Sequence, residues 1–492
     1  MPSYAAPEYV LKRPRTRIVC TLGPATATDE KIDELIFAGM SVARLNLSHG
    51  SPEEHAETIA RVRSGAERNG VAVGILADLP GPKHRLGPAP DSESGTEIVL
   101  EPGQRYVLRD GKGASTEEIG YVHPPGFVSS TPVGANILIA DGAIRLSAVE
   151  ARRDEIECEV AIGGTIQSDK AVSAPGHASN ISYLTDETGA ALAEAAAERV
   201  DYVGISYIRS AGDVRLVRDF FAARGFDPQL IAKIELAESM DNLDAIIDAS
   251  DGVMVARGDL GVELPMALVP GSQKKIIRRA NHVGKVVITA TQMLESMVTT
   301  PVPTRAEVTD VANAVLDGTD AVMLSAETSI GQHPAVATAV MAEIALEAEK
   351  SLNREEIAER RRTGVQGLDS AIADAAVSTA DRVGAKVILA FTESGSTAAR
   401  VAGFRPGVPI IVITPDTAVG RGLALRWGVI VITAPRPNSI DEMFRLGSSV
   451  ALDSGLVKKR ERAVAVIGVP IGVHGSTNLL RVIDLPEPES GR

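Results

Sequence analysis

Leu230-Ile231-Ala232-Lys233-Ile234-Glu235 (LIAKIE) decides the fold. Its aliphatic residues fall on both faces of an extended chain, the pattern of a strand covered on both sides, as in parallel sheets flanked by helices. Yet the run closes on Lys233 and Glu235, two residues apart and therefore on one face. Charges at the end of a buried strand suit a barrel whose chemistry sits where its strands end. Similar aliphatic runs recur at Thr16–Thr21, Ser41–Leu47, Val71–Asp78, Tyr202–Tyr207, Gly252–Ala256, Val286–Thr291 and Asp320–Ser325, most of them followed by a helical segment. Thr28-Asp29 and Ser51-Pro52-Glu53-Glu54 read as helix starts, with a capping hydroxyl, proline and acids in the expected order, and Gly39 closes the first helix. With the opening run these make eight strand–helix units, the number that closes a (β/α)8 TIM barrel.

The spacing is uneven in one place. More than a hundred residues separate Asp78 from Tyr202, rich in Gly and Pro and alternating in short runs such as Ile137-Leu138-Ile139 and Ile156–Val160. This predicts an antiparallel β domain inserted after strand 3 as a lid. After Lys350 a charged stretch, Arg354 to Arg362, reads as a hinge or an exposed helix end and leads through Gly364 and Gly367 to a renewed α/β rhythm. The expected division is a tail over 1–13, the barrel over 14–84 and 174–350, the lid over 85–173, a linker over 351–367, and an open α/β regulatory domain over 368–492.

Composition narrows the function. The chain has 492 residues and a formal charge of −14, with 50 Lys plus Arg against 64 Asp plus Glu. An acidic surface repels phosphodiester backbones, so nucleic acid is not an expected partner. Two cysteines, Cys20 and Cys158, give neither a disulfide scaffold nor a zinc framework. No apolar run approaches the ~18 residues of a membrane span, and Met1 to Pro14 lacks the apolar stretch of a signal peptide. A cytoplasmic protein without membrane partners is expected.

Strand ends carry the chemistry. Period-two alternation puts Arg44, Asn46 and Ser48 on one face of strand two. Strand three ends at Asp78, strand six runs into Arg257-Gly258-Asp259, strand seven ends at Thr291, and strand eight at Ser325 and Glu327. Any one of these alone is most simply a cap or a surface ion pair. Acids and bases converging from at least five strands are costly to bury without a ligand. Glu235 and Asp259 are hard oxygen ligands from adjacent strands, suited to Mg2+ or Mn2+. Lys233 points the same way, Gly258 allows close backbone approach, and Lys83 and Arg85 in Gly81-Pro82-Lys83-His84-Arg85 add cations at the base of the lid. Together they suit a phosphorylated carboxylic acid.

RLNLSHG (44–50), DLPGPKHR (78–85), AKIE (232–235), VARGDLGVE (255–263), ATQMLESM (290–297), PTRAEVTDVANA (303–314) and MLSAET (323–328) resemble, in order, the signature stretches of the pyruvate kinase family. The resemblance covers nearly the whole chain. It implies transfer of a phosphoryl group from phosphoenolpyruvate to ADP, giving pyruvate and ATP. Glu235 and Asp259 would hold the divalent metal, and Lys233 would stabilise the phosphoryl group and the enolate. Thr291 would lie near the enolate face that is protonated, Arg44 would contact the phosphoryl group with Arg85 nearby, and the Gly258–Asp259 turn would hold the substrate carboxylate. Asn46, Ser48 and Asp78 match the monovalent-cation positions of potassium-dependent members. Lys83 stands where those members have glutamate, so its ammonium is expected to replace K+.

In the C-terminal domain Thr392, Ser394, Gly395, Ser396 and Thr397 resemble a loop for phosphorylated effectors, and GVHGSTN (472–478) a second element. On spacing alone a helix-capping cluster is an equal reading of the hydroxyls. The family also implies allostery and a homotetramer. Departures from its pattern fall at Leu79-Pro80, His84, Ala140, Ala171, Ser173 and Pro270-Gly271-Ser272, and they leave open a catalytically weak, metabolite-binding paralogue.

Overall fold

The computed structural model describes residues 7–89, 98–140, 142–177, 181–470 and 477–485. Eight strands, Arg17–Thr21, Met40–Asn46, Gly74–Asp78, Tyr202–Ile205, Gln229–Ile234, Gly252–Ala256, Val286–Ala290 and Ala321–Leu324, form a closed parallel barrel in chain order. Closure is by strand one on strand eight, with Ile18 opposite Val322. Alternation divides the aliphatic residues between two cores. Ala43, Ala77, Ala232, Val253 and Val287 face the helices, whereas Val42, Leu76, Ile231, Met254 and Ile288 fill the barrel. Two residues further along their strands, the positions that follow Val42, Leu76 and Ile231 are Arg44, Asp78 and Lys233. The inward row thus turns from apolar to charged at one end. Glu235, Thr291 and Ser325 lie just beyond their strands, which are a residue or more shorter than the aliphatic runs.

Local signals account for the helices. Ser51 and Glu54 form a reciprocal capping box on Pro52–Arg68, with Glu54 accepting the Ser51 N–H at 2.9 Å. Thr304 and Glu307 do the same for Arg305–Asp317. Pro270-Gly271-Ser272 sit in the first turns of Val269–Val283.

Seven strands of the insertion, His84–Leu86, Arg105–Asp110, Ile119–His123, Asn136–Ile139, Ile144–Ala151, Glu155–Ile162 and Ala171–Ser173, close into a second small barrel. Its core includes Tyr106, Leu108, Val122, Ile137, Leu146 and Ile156. The expectation of an antiparallel domain needs correction in one pair: Arg105–Asp110 runs parallel to Ile119–His123, with Val107 opposite Ile119. Closure removes the edges that an open sheet would expose.

The charged stretch after Lys350 is a helix, Arg354–Gly364, capped by Asn353. Beyond it lies a five-stranded sheet in the order Val429–Thr433, Ile410–Thr414, Val387–Phe391, Arg462–Gly468, Thr477–Asp484. Its last strand is antiparallel, with Val464 opposite Val482, and has no counterpart in the sequence reading. The C-terminal domain also closes the N-terminal end of the large barrel. Ala424 and Leu425 belong to the barrel's inner core, and the Leu425 N–H donates to Tyr202 Oη at 3.1 Å.

Candidate active site

Lys233 is the hub of the charged rim. Its Nζ lies 3.1 Å from Asp78 Oδ1 and 2.8 Å from Glu235 Oε1, and donates to Ser206 Oγ at 2.8 Å. Arg44 binds the other side of Asp78, Nη2 to Oδ2 at 2.6 Å and Nε to the same oxygen at 2.8 Å, and reaches Thr21 Oγ1 at 2.9 Å. Burial pushes Asp78 upward, but Lys233 and Arg44 outweigh it and hold the carboxyl below its ordinary range. For Lys233 burial favours the neutral amine, and Asp78 and Glu235 outweigh that and keep it an ammonium.

Glu235 is different. It is wholly buried, and burial lifts its pKa despite Lys233. Oε2 accepts the Tyr207 N–H at 2.7 Å, whereas no hydrogen-bond donor is aligned on Oε1, which has Lys233 only as a charge contact. A buried carboxylate oxygen without an aligned donor, beside a second carboxylate, is the donor set of a hard divalent cation. Asp259 supplies that second group. Its Oδ1 accepts from Lys83 Nζ at 3.2 Å and from Tyr207 Oη at 3.1 Å. Burial raises Asp259, but Lys83 and Lys233 prevail and keep it ionised. Three carboxylates thus meet three cations, and a bound divalent cation would leave a positive surplus for an anionic substrate.

Tyr207 is the functional residue that the sequence reading missed. Its backbone has φ +58°, its amide serves Glu235, its hydroxyl serves Asp259, and Lys83 Nζ stands 4.3 Å from the ring centroid. Gly81 lets the ring approach, since a Cβ there would lie 2.6 Å from the ring. The only signal was an aromatic residue closing the aliphatic run Tyr202–Tyr207, which reads as core.

Thr291, at φ +69°, directly follows the strand Val286–Ala290. Thr291 Oγ1 accepts the Gly258 N–H at 2.8 Å and donates to Ala290 O at 2.6 Å. Arg257 holds this turn from outside, donating to the Thr291 carbonyl at 2.6 Å and pairing with Asp310 at 2.7 Å.

Other expected groups lie elsewhere. Arg85 reaches the Asp169 carbonyl at 3.1 Å on the lid, not the rim. Glu327 is a fully buried brace for the Leu294 and Ser325 amides. Asn46 Oδ1 accepts the Ser48 N–H at 3.3 Å, and Ser48 is exposed. Lys83 bonds to Asp259 rather than to this pair or Asp78. His84 is buried, its Nδ1–H donates to the Pro124 carbonyl at 2.9 Å, and its ring packs edge-on to Phe127. Ala171, Ser173 and His84 line a cavity of about 340 Å3 between lid and rim, together with Lys83, Asp259 and Glu263. Ala140 sits in a turn at φ +52°. In the C-terminal loop Thr392 Oγ1 accepts the Gly395 N–H at 2.8 Å, and Thr397 and Thr477 hydroxyls meet at 2.7 Å. Residues 472–476 of the second element lie outside the described residues.

A barrel with a lid over strand-end cations and two neighbouring carboxylates, Glu235 and Asp259, defines a class: barrel enzymes whose rim suits an anionic substrate. Known proteins place it more narrowly. Residues 13–338 match the family model for the pyruvate kinase barrel domain, and residues 370–483 that for the pyruvate kinase alpha/beta domain. The chain is 43% identical over 472 residues to a pyruvate kinase of Geobacillus stearothermophilus, covering 95% of this chain and 80% of that one. It is 41% identical over 470 residues to pyruvate kinase 2 of Synechocystis, covering 95% and 79%. A crystal structure of a pyruvate kinase from Cryptosporidium parvum superposes with a TM-score of 0.91 at 35% identity, covering 99% of this chain and 98% of the other. This chain belongs to the pyruvate kinase family.

Proposed function

We propose that the chain moves the phosphoryl group of phosphoenolpyruvate to ADP, with roles divided as the rim divides its charges. The observation that carries this reading is the Lys233 ammonium, held between Asp78 and Glu235 with its proton secured. An ammonium that does not titrate near neutrality acts as a fixed positive charge, neutralising the phosphoryl group in flight and the enolate oxygen left behind. Arg44, fixed by Asp78 and Thr21, orients the phosphoryl oxygens. The Thr291 hydroxyl, which accepts the Gly258 N–H, would turn from the Ala290 carbonyl to pass a proton to the enolate carbon, directly or through water. Glu235 and Asp259 would hold Mg2+ or Mn2+, which when bound polarises the phosphoryl and enolate oxygens as a Lewis acid.

K+ is not required in this proposal. Asp78 is already neutralised by Arg44 and Lys233, and Lys83 brings a tethered ammonium to Asp259. The enzyme is proposed to work in the cytoplasm as an allosteric homotetramer, with a phosphorylated effector at Thr392–Thr397; among the described residues no helix is long and apolar enough to cross a membrane. The test is pyruvate formation from phosphoenolpyruvate, ADP and Mg2+ in tetraalkylammonium buffer. Turnover without potassium is expected. A many-fold rise on adding K+ refutes the potassium-independent reading, and no pyruvate under any condition refutes the catalytic one.

A further inference from the structure

The turn after strand seven is held against its own backbone preference. Thr291 has φ +69° and Gln292 φ +53°, the only consecutive left-handed pair of non-glycine residues among those described. For a β-branched residue that conformation is costly, and it persists only where the surroundings dictate it. The strain falls on the residue whose hydroxyl the proposed reaction uses.

One side chain meets the whole turn. The Arg257 guanidinium donates through Nη2 to the Thr291 carbonyl at 2.6 Å and to the Gln292 carbonyl at 3.4 Å, and through Nε to the Ala290 carbonyl at 3.2 Å. Nη2 also stands 2.8 Å from Met293 Sδ. One rigid planar group thus holds three successive carbonyls. Nη1 anchors it from behind, on Asp310 Oδ1 at 2.7 Å and Gln273 Oε1 at 3.4 Å. Further along, the loop has other anchors. Glu327 accepts the Leu294 N–H at 3.0 Å, and Glu307 the Ser296 N–H at 2.7 Å. Arg257 therefore bears on residues 290–292 without carrying the rest of the loop.

The Ala290 carbonyl links this clamp to the chemistry. It accepts the Thr291 hydroxyl at 2.6 Å as well as Arg257 Nε, and its residue is wholly buried. A buried carbonyl stripped of its donor costs about a hydrogen bond. When the Thr291 hydroxyl turns toward a substrate, this carbonyl loses one donor and keeps Arg257. The turn can then release its hydroxyl without stranding an acceptor.

We infer that Arg257 is a positioning residue for the proton transfer. It fixes the 290–292 turn so that the Thr291 hydroxyl can reach the enolate carbon, and it keeps the Ala290 carbonyl satisfied once that hydroxyl has turned away. This role rests on the reading of Thr291 as the group that passes the proton. Arg257 acts through Thr291 and not on the reacting atoms.

The same proton movement can be followed in reverse. Pyruvate with Mg2+ and inorganic phosphate in D2O should exchange its methyl protons on the full chain, a half-reaction that needs proton transfer and no phosphoryl transfer; proton NMR measures its rate. Steady-state kinetics with phosphoenolpyruvate and ADP, and Mn2+ titration, are run beside it. Arg257→Gln is expected to slow both exchange and kcat at least ~10-fold, as for a misplaced reacting group, with KM for phosphoenolpyruvate and Mn2+ affinity within about 3-fold of the wild type. Arg257→Lys keeps a charge for Asp310 without the fork. It is expected to show the same slowing, and it replaces Arg257→Gln should that variant fail to fold. Undiminished exchange in these variants overturns the positioning role, as does a loss matched by a raised KM and weakened Mn2+ binding, which would mark a general collapse of the rim. Thr291→Val tests the underlying reading separately and should abolish exchange. No exchange in the wild type, or full exchange in Thr291→Val, removes the proton assignment itself and the role of Arg257 with it.

Discussion

Lys233, Glu235 and Asp259 have their roles set by what stands around each one. Because Lys233 compensates two buried carboxylates, Lys233→Met has two consequences. Turnover should fall by at least ~10²–10³ through loss of fixed positive charge. Stability should fall as well, since Glu235 keeps its burial and loses its nearest cation; thermal unfolding beside steady-state kinetics reads both. Tyr207 gives a finer test. Tyr207→Phe keeps the ring under Lys83 and the amide on Glu235 but removes the bond to Asp259. Mn2+ affinity, measured by paramagnetic titration, should weaken about 3–10-fold, near the worth of one hydrogen bond to a charged group, with the melting temperature little changed. Unaltered Mn2+ affinity would show that Asp259 does not depend on that hydroxyl. The contrast between the two residues shows how far the sequence speaks at this scale. Charges at the ends of aliphatic runs are legible because burial makes them expensive. An aromatic residue whose hydroxyl bonds across to another strand's loop is not, because nothing in its own neighbourhood differs from core.

Among elements, the short helix after strand six, Arg257–Glu263, meets the chain just beyond the lid where Glu263 faces the Gly176 backbone. Burial, with Asp259 adding to it, pushes this carboxyl up to about 7, although the Gly176 backbone opposes the shift. The folded protein keeps a proton that the unfolded chain releases above its ordinary carboxylate pKa, so the stability tied to that proton is full below that value and is lost as pH rises through about 7. Denaturant midpoints measured from pH 4 to 8 should therefore decline less with rising pH in Glu263→Gln than in the wild type; parallel curves would remove Glu263 from the pH response. Period-two and capping signals made the barrel's strands and helices readable. They failed in two elements. The parallel pair inside the lid depends on chain crossings that no local pattern encodes, and Thr477–Asp484 is half exposed, so its alternation is weak. The charged stretch Arg354–Arg362, read as a hinge or an exposed helix end, is a helix, and its charged faces hide an Arg361 that is buried only once two domains close on it.

For the molecule as a whole, the apolar contact at the barrel's closed end sets the prediction. Leu425 is fully buried inside the barrel although it belongs to the C-terminal domain. Leu425→Ala should cost about 2–5 kcal/mol, as for other large-to-small changes in a well-packed core. The loss should show in the unfolding of the catalytic barrel as much as in that of the C-terminal domain, as hydrogen exchange at Tyr202–Ile205 and Val429–Thr433 would report. Protection lost in only one of the two would mean that they unfold separately.

A barrel stoppered by a neighbour's leucine is not a self-sufficient machine with an accessory bolted on. Cutting the chain between 364 and 368 would not liberate a working catalytic half. It would uncork the floor of the barrel, wet the layer beneath Lys233 and Asp78, and leave two fragments that must find each other again before either regains its shape.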